Sequence, residues 1–272
     1  MVPVPRGIVL RSQKAGRSAG KGLLNTPSRN QNPQDYLPLL SSASTDGEMP
    51  LLIGGQAVNL WALLLMEMEP AIRQFEPFTS VDCDVIASGD WLLQVAQKHG
   101  LPHRMFRAGQ SSPEVGWIRM PAGDAEIELQ VLRDALGLMP GEAKATAFQV
   151  DFEGQAILVL SPVALLKAKI ANLHDLDQKD RYDLQHVQIL LHCVRAAIKQ
   201  HLSLLAKGEL TPRKCIETME AVVKVISSKK ACAVSKKFTV DLKTAFPLAE
   251  LSVSDKPSLR NFVEKRLKGL NF

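Results

Sequence analysis

The chain has 272 residues, of which 46% are hydrophobic and 22% charged, a balance typical of a globular protein with a sizeable core. This composition excludes wholesale disorder, collagen-like repeats and a small disulfide-stapled domain. The longest apolar runs, such as residues 157–160, are far shorter than the ~20 residues of a membrane-spanning helix, so no membrane association is predicted. The length alone predicts about two domains, or one large one.

The net charge of +5 is distributed unevenly along the chain. Residues 1–35 carry +5, residues 36–200 carry −7 and residues 201–272 carry +7. An acidic centre between basic ends indicates a cation-binding middle and a periphery that tolerates polyanions, although solvated tails and helix faces account for the same pattern. We therefore predict that the basic C-terminal region recruits an anionic acceptor, most simply RNA, with lysines that only solvate helices as the open alternative.

The four cysteines are widely spaced and form no CxxC pair, so neither a structural zinc site nor a redox motif is indicated. Free cysteines fit a reducing compartment, and a cytoplasmic location is predicted. The N-terminus has basic residues but no apolar segment of the kind found in secretory signals. Residues 1–33 are predicted to be a disordered basic leader.

Order is predicted to begin near Pro33 with a short helix, and the elements that follow alternate between strand and helix spacing. In the first 160 residues the predicted order is a strand over 50–53, a helix over 56–67, a strand over 79–86, a helix over 90–99 with Asp90 as its N-cap, strands over 104–107, 115–120 and 126–132, and a hairpin of 148–152 with 156–160. These elements predict an α/β core with a mixed sheet over residues 34–160.

From Ser161 onward the pattern becomes helical. The predicted helices begin at Pro162, cover about 179–200 and 212–227, and include two shorter ones near 239–246 and 258–267. Residues 161–272 are therefore predicted to be an all-helical C-terminal region.

The strongest chemical signal is a pair of glycines, Gly54 and Gly55, followed after 26 residues by Asp82 and Asp84. Glycines at a strand-to-helix turn let the backbone approach a ligand closely, and the helix N-terminus suits phosphate. On a strand, Asp82 and Asp84 share one face at a spacing of roughly 7 Å. Mg²⁺ in proteins is commonly held by one or two carboxylates plus substrate phosphates, so this spacing predicts a magnesium site.

A third carboxylate is predicted from the alternating segment 125–132. Its Ile127, Leu129 and Val131 face one side, while Glu126 and Glu128 face the other. Glu128 is the first candidate for a third acid. Asp124 and Glu126 are the runners-up, and an exposed strand residue without a metal role is the open alternative.

The glycine pair, the Asp-x-Asp strand and the later strand with an acid between apolar residues resemble the nucleotidyltransferase superfamily, which has the polymerase-beta-like fold. The segments 159–169 and 178–184 extend the resemblance toward AbiEii-type toxins and related bacterial nucleotidyltransferase-like proteins. The resemblance covers about residues 36–200. It implies a nucleotidyltransferase core, with Mg²⁺, two ions included, as the cofactor and a nucleoside triphosphate as the substrate.

Carried over residue by residue, the resemblance implies roles for individual positions. Gly54 and Gly55 match the phosphate-binding turn, Asp82 and Asp84 match the metal pair, and Glu128 matches the third acid, which is more often Asp in the superfamily. Lys169 matches a basic residue near the nucleotide phosphates, with Lys167 as its competitor. Asp183 matches a late acid of less settled role. The usual Gly-Ser turn is Gly-Gly here.

The implied activity is metal-assisted transfer of a nucleotidyl group to an acceptor that the sequence does not name; RNA, a protein hydroxyl and a small antibiotic all stay open. Two alternatives come from other classes of function. One is a catalytically degenerate nucleotidyltransferase-fold protein that binds a nucleotide or partner without turnover. The other is a toxin–antitoxin component that acts mainly through an antitoxin or another protein partner.

Overall fold

The computed structural model describes residues 31–106, 113–122 and 125–270. Residues 1–30 of the predicted leader lie outside the described residues, as do Arg107 and Asp124. The internal contacts divide the chain into two units. The first takes its described residues from Met1–Leu64 and Pro77–Ser161, and the second takes its residues from Leu65–Glu76 and Pro162–Phe272.

A seven-stranded mixed sheet forms the centre of the first unit. Its strands are β1 (Leu51–Ile53), β2 (Cys83–Ile86), β3 (His103–Met105), β4 (Glu114–Ala122), β5 (Ala125–Leu132), β6 (Ala147–Phe152) and β7 (Gln155–Leu160). The strand order is β3-β4-β5-β2-β1-β7-β6. Strand β1 runs antiparallel to β2 and parallel to β7, while β2 runs parallel to β5. Strands β1 and β2 are therefore central, which fits their short apolar sequences.

The strand predicted over 79–86 is shorter in the structure because its first half leaves the ladder. Ser80 forms an isolated antiparallel bridge with Gln31 instead, through two backbone hydrogen bonds of 2.9 Å. Gln31 is buried, so the described chain is already packed against the sheet two residues before Pro33.

Helices lie around this sheet, and their starts differ slightly from the predicted ones. The helices of this part of the chain are α1 (Leu37–Leu40), α2 (Gly54–Leu65), α3 (Gly89–His99) and α4 (Glu142–Ala145). Helix α2 begins at Gly54 and not at Gln56. The N-cap of α3 is Ser88, whose hydroxyl accepts from the Trp91 N–H, so the prediction of Asp90 as the cap is wrong.

The second unit is helical. It contains α5 (Pro162–Asp175), α6 (Asp183–Ala206), α7 (Pro212–Ile226), α8 (Lys229–Phe238), α9 (Leu248–Ser252) and α10 (Pro257–Phe262), 3₁₀ turns at Pro70–Phe75 and Leu242–Ala245, and a π turn at Val263–Leu267. Helix α6 starts four residues later than predicted, after Asp180 takes a φ of 59°. The fold class predicted from the sequence, a mixed sheet with helices followed by a helical C-terminal region, is confirmed.

Within the described ranges, no helix is both long enough and apolar enough to cross a membrane.

Candidate functional site

The candidate site is defined by the close contact between Asp84 and Gly54. Asp84 lies opposite Ile53 in the β1–β2 ladder, which brings its side chain next to the residue that follows Ile53. A Cβ built on Gly54 would overlap Oδ2 of Asp84 and lie 3.1 Å from its Cβ and Cγ. Gly54 also has a φ of 69°, which side-chain-bearing residues rarely adopt. Both the space and the backbone angle therefore require glycine here.

The helix that starts at Gly54 is buried almost all round, while Gly54 itself is half-buried. Two buried polar side chains follow on the helix. The amide of Gln56 donates from Nε2 to the Gln31 carbonyl at 3.1 Å, and Asn59 donates from Nδ2 to Gln56 Oε1 at 3.4 Å. These bonds fix the first turn of α2 beside the segment that begins at Gln31. The N–H groups of this turn are the ones a helix leaves without intrahelical partners.

Asp82 precedes β2 and is exposed. Its Oδ1 accepts from the Ser80 hydroxyl at 3.2 Å. The charges of Asp82 and Asp84 act on the same two neighbours. Burial raises the pKa of the Tyr36 phenol above its usual range, with further increases from Cys83, Asp82, Asp35 and Asp84. Burial also raises the pKa of the Cys83 thiol, with smaller contributions from Asp84 and Asp82.

Glu128 lies on β5, where it faces Arg119 of β4 in the antiparallel ladder. Its carboxylate accepts from the Arg119 guanidinium, with Nε 3.0 Å from Oε2. The next residues along β5 pair with β2, Leu129 with Cys83 and Gln130 with Asp84. The predicted third acid therefore lies on the strand next to β2, which carries Asp84. The hydrogen bond that it accepts comes from Arg119.

The predicted phosphate lysine belongs to the second unit. Lys169 is 7% exposed and donates from Nζ to Asp183 Oδ1 at 2.9 Å. Arg181 donates from Nε to the other oxygen of Asp183 at 2.7 Å. Although burial opposes it, the two cations hold the pKa of the Asp183 carboxyl below its usual range. The structure thus joins Lys169 and Asp183, two residues singled out separately by the resemblance. The competitor Lys167 is half-buried.

No set of three or more His, Cys, Asp or Glu side chains is placed to share a metal ion within residues 31–106, 113–122 and 125–270. The runner-up Glu126 is an exposed residue of β5, and the other runner-up, Asp124, falls in the gap before that strand. Asp82 and Asp84 still fit a magnesium ion that completes its coordination with substrate phosphates and water, because Mg²⁺ needs only one or two protein carboxylates. Because Gly54 has no Cβ, the Asp84 carboxylate has room to lie directly beside the first turn of α2.

The sequence did not predict that Tyr36 and Gln56 belong to this region. Tyr36 is fully buried and donates its hydroxyl to Gln31 Oε1. Gln56 stands out as a polar residue on an apolar helix directly after the glycine pair, and that contrast was the available signal. Trp117 is only half-buried, whereas Trp61 is 5% exposed and donates its indole N–H to the Leu160 carbonyl.

No protein-family model and no curated protein sequence matches this chain. Among solved structures, the chain is similar to an antigenic nucleotidyltransferase-like protein from Paracoccidioides brasiliensis. The two are 13% identical, with 58% of this chain and 82% of that chain covered and a TM-score of 0.34. The proposals below therefore rest on the residues of the site.

Proposed function

We propose that this protein binds a nucleoside triphosphate together with Mg²⁺ at Gly54, Gly55, Asp82 and Asp84, and transfers the nucleotidyl group to an acceptor hydroxyl. The position of Asp84 in the space that a Gly54 Cβ would fill is the observation that carries this proposal. It places a carboxylate directly beside the first turn of a helix. Backbone N–H groups of such a turn suit phosphate oxygens, and carboxylates suit the magnesium that accompanies them.

In the proposed reaction the acceptor oxygen attacks the α-phosphorus. The bond from that phosphorus to the oxygen bridging the α- and β-phosphates breaks, and the electron pair leaves with pyrophosphate. The hydroxyl proton passes to one of the two aspartates. Bound magnesium supplies charge stabilisation for the phosphoryl oxygens. The first turn of α2 orients the terminal phosphates, so that the α-phosphorus is presented to the acceptor.

A second candidate function is nucleotide binding without turnover. The observation that favours it is the hydrogen bond from Arg119 to Glu128, because a carboxylate engaged by an arginine is less available to a metal. In this alternative Asp82 and Asp84 still hold Mg²⁺ and the nucleotide, but no acceptor is modified. An antitoxin partner stays a prediction from the resemblance.

Differently labelled nucleotides separate these functions. The protein is incubated with each NTP carrying ³²P at the α or at the γ position, with Mg²⁺ and total RNA or lysate. Nucleotidyl transfer leaves α label, but no γ label, in a macromolecule, and Asp84→Asn abolishes it. Asp134→Asn, which alters an exposed acid of the same unit, keeps it. Mg²⁺-dependent NTP binding without transferred label supports the second candidate, and the absence of both contradicts the proposal.

The acceptor that we propose is RNA, and helix α8 carries the supporting charges. Lys229 and Lys236 are exposed on the face opposite the buried Ala231 and Val234, and Lys237 is exposed at the side of the same helix. Such a row of lysines attracts phosphates over long range and releases counterions on binding.

Replacement of these three lysines by glutamine tests the RNA proposal in the full chain. For single-stranded RNA we expect weaker binding, and a slope of log affinity against log salt that is smaller by up to about 2. The matched control changes Lys144, an exposed lysine of the first unit, to glutamine. An RNA affinity and a salt slope equal to those of the wild type would remove α8 from the acceptor site.

A further inference from the structure

Four residues, one from each of four neighbouring strands, lie opposite one another in a row that includes Asp84. Asp84 of β2 pairs with Gln130 of β5, Gln130 pairs with Trp117 of β4, and Trp117 pairs with Arg104 of β3. Directly opposed residues in a sheet place their side chains on the same face. Trp117 therefore lies on the face that carries Asp84, two strands away, at a backbone distance of about 10 Å given the usual strand spacing.

Helix α3 packs against the other face of these strands. A Cβ built on Gly116 would lie 2.9 Å from Cδ1 of Leu92 in α3, so Gly116 faces that helix. Because successive residues of a strand alternate in direction, Trp117 points away from α3. Its half-buried indole contrasts with those of Trp61 and Trp91, which are 5% and 0% exposed.

The Arg119 guanidinium lies over the ring of Trp117, and the two groups together form a partly exposed surface. Its guanidinium carbon lies 4.3 Å from the centroid of the Trp117 ring. The bond from Arg119 Nε to Glu128 fixes the orientation of the group, while 44% of the Arg119 side chain is exposed. We call the Trp117 ring with the Arg119 guanidinium the indole–guanidinium platform. Nucleobases stack on aromatic rings and on guanidinium planes of this kind.

We propose that the indole–guanidinium platform stacks the base of the nucleotide whose phosphates lie at Asp84, an inference that rests on the proposed function. In a nucleoside triphosphate the ribose joins the base to the reacting α-phosphorus, and the β- and γ-phosphates extend further from the base, so base and phosphates together span a length of the same order as the two-strand offset between Asp84 and Trp117. Stacking tolerates every base, so the platform provides affinity for a nucleoside without selecting one base. Glu128 acts here as a positioning residue for Arg119.

A comparison of NTP with inorganic tripolyphosphate tests the platform, because tripolyphosphate keeps the phosphates and lacks the base. Titration calorimetry with Mg²⁺ measures both ligands on the full chain. We expect Trp117→Ala to weaken NTP binding about 10-fold, within the range known for a stacked base, and to leave tripolyphosphate binding unchanged. Trp117→Phe restores most of the affinity. Tyr182→Ala, which removes an exposed aromatic side chain from the second unit, leaves both affinities unchanged.

Arg119→Ala serves as a second variant, since Arg119 is a surface residue whose loss leaves the core intact. It weakens NTP binding and spares tripolyphosphate if the guanidinium stacks on the base. If Arg119 contacted phosphate instead, both ligands would bind more weakly, and that result would overturn the platform.

Tryptophan fluorescence gives an independent measurement. Trp61 and Trp91 are buried, so nucleotide-dependent quenching is expected from Trp117 and is expected to disappear in Trp117→Phe. Quenching that persists in Trp117→Phe, or equal NTP affinity in wild type and Trp117→Ala, overturns the platform while the proposed function stands. Failure of wild-type protein to bind either NTP or tripolyphosphate with Mg²⁺ overturns both.

Discussion

Asp84 in the first unit and Asp183 in the second are both carboxylates next to a helix start, but their neighbours are opposite in kind. Asp84 is half-buried beside a glycine, and its charge adds to the burial that raises the pKa values of Tyr36 and Cys83. Asp183 is 1% exposed and held by Lys169 and Arg181. The comparison teaches that a buried carboxylate in the helical unit holds two cations in place, whereas Asp84 in the sheet unit lies against the start of a helix, where we propose that it binds a ligand.

The second unit repeats this use of buried charge at Glu69. That side chain is 4% exposed and accepts from Arg195 and Lys199, with Lys199 Nζ 3.0 Å from Oε2. Although burial opposes it, these cations lower the pKa of the Glu69 carboxyl. The short segment Leu65–Glu76 is thereby tied to the helices that follow it much later in the sequence.

Removal of Asp183 is expected to have the largest effect on stability. Asp183→Ala leaves Lys169 buried without its carboxylate, at an expected cost of about 3–5 kcal/mol in urea unfolding. The matched control is Asp175→Ala, which breaks an exposed pair with Lys230 and is expected to cost far less than the loss of Asp183, because water screens an exposed ion pair. Equal losses in the two variants would contradict the distinction between buried and exposed pairs.

Gly54→Ala tests whether the first unit needs glycine at the position that Asp84 approaches. The backbone angle costs about 1–2 kcal/mol, and the overlap with Asp84 adds about 1–3 kcal/mol. Gly100→Ala is the control, because its φ of 63° imposes the same kind of strain with no atom within 4 Å of the new Cβ. The difference between the two free energies of unfolding measures the close approach of Asp84. No difference would mean that Asp84 does not need the space.

His186 makes the second unit sensitive to acid. Burial, with Lys169 and Arg181 adding to it and Asp183 opposing it, lowers the pKa of His186 to about 3. An unfolded histidine binds its proton near pH 6.5, so the neutral folded form contributes stability above that pH and loses it as pH falls toward 3. The loss is about 1.4 kcal/mol per pH unit in this window.

Urea unfolding at pH 7, 6, 5 and 4 measures the effect of His186. The unfolding free energy of the wild type is expected to fall as the pH is lowered from 6 to 4. We expect this slope to be smaller in His186→Gln by the contribution of one bound proton, about 1.4 kcal/mol per pH unit. His174→Gln, which alters an exposed histidine, is the control. An unchanged slope in His186→Gln would show that another group controls the acid response.

Glu128→Gln gives the smallest expected effect on stability. The pair with Arg119 is half-exposed, so its loss costs up to about 1 kcal/mol. If Glu128 positions Arg119, Mg²⁺-dependent binding of tripolyphosphate stays at the wild-type level in calorimetry. If Glu128 completes the metal site as a third acid, that binding falls sharply.

Much of the sheet followed from local pattern. Strict alternation over 125–132 and the hairpin around Glu153-Gly154 predicted strands whose observed bounds differ by about one residue. Alternation failed over 79–86, because Ser80 pairs with Gln31, a residue far away in sequence that periodicity cannot reveal. Helix α8 was not predicted, since its mostly small and basic residues offer only Ala231 and Val234 to the core.

The candidate site was predictable only in part for the same reason. The glycine turn and the Asp-x-Asp pair are local signals, and the pairing of Ile53 with Asp84 brings them together. The partner of Glu128 depends on the register of β4 against β5, which the sequence of neither strand fixes alone. The ion pair of Lys169 with Asp183 likewise joins α5 to α6, and its formation depends on the conformation of the loop between these helices.

The central claim is that Asp84 and the Gly54 turn bind a nucleotide together with magnesium. Titration calorimetry of wild type, Asp84→Asn and Asp134→Asn with each NTP, with and without Mg²⁺, tests it most directly. The account predicts Mg²⁺-dependent binding by wild type and by Asp134→Asn, and its loss in a folded Asp84→Asn. Nucleotide binding of equal strength in Asp84→Asn, or no Mg²⁺-dependent binding by the wild type, would contradict it.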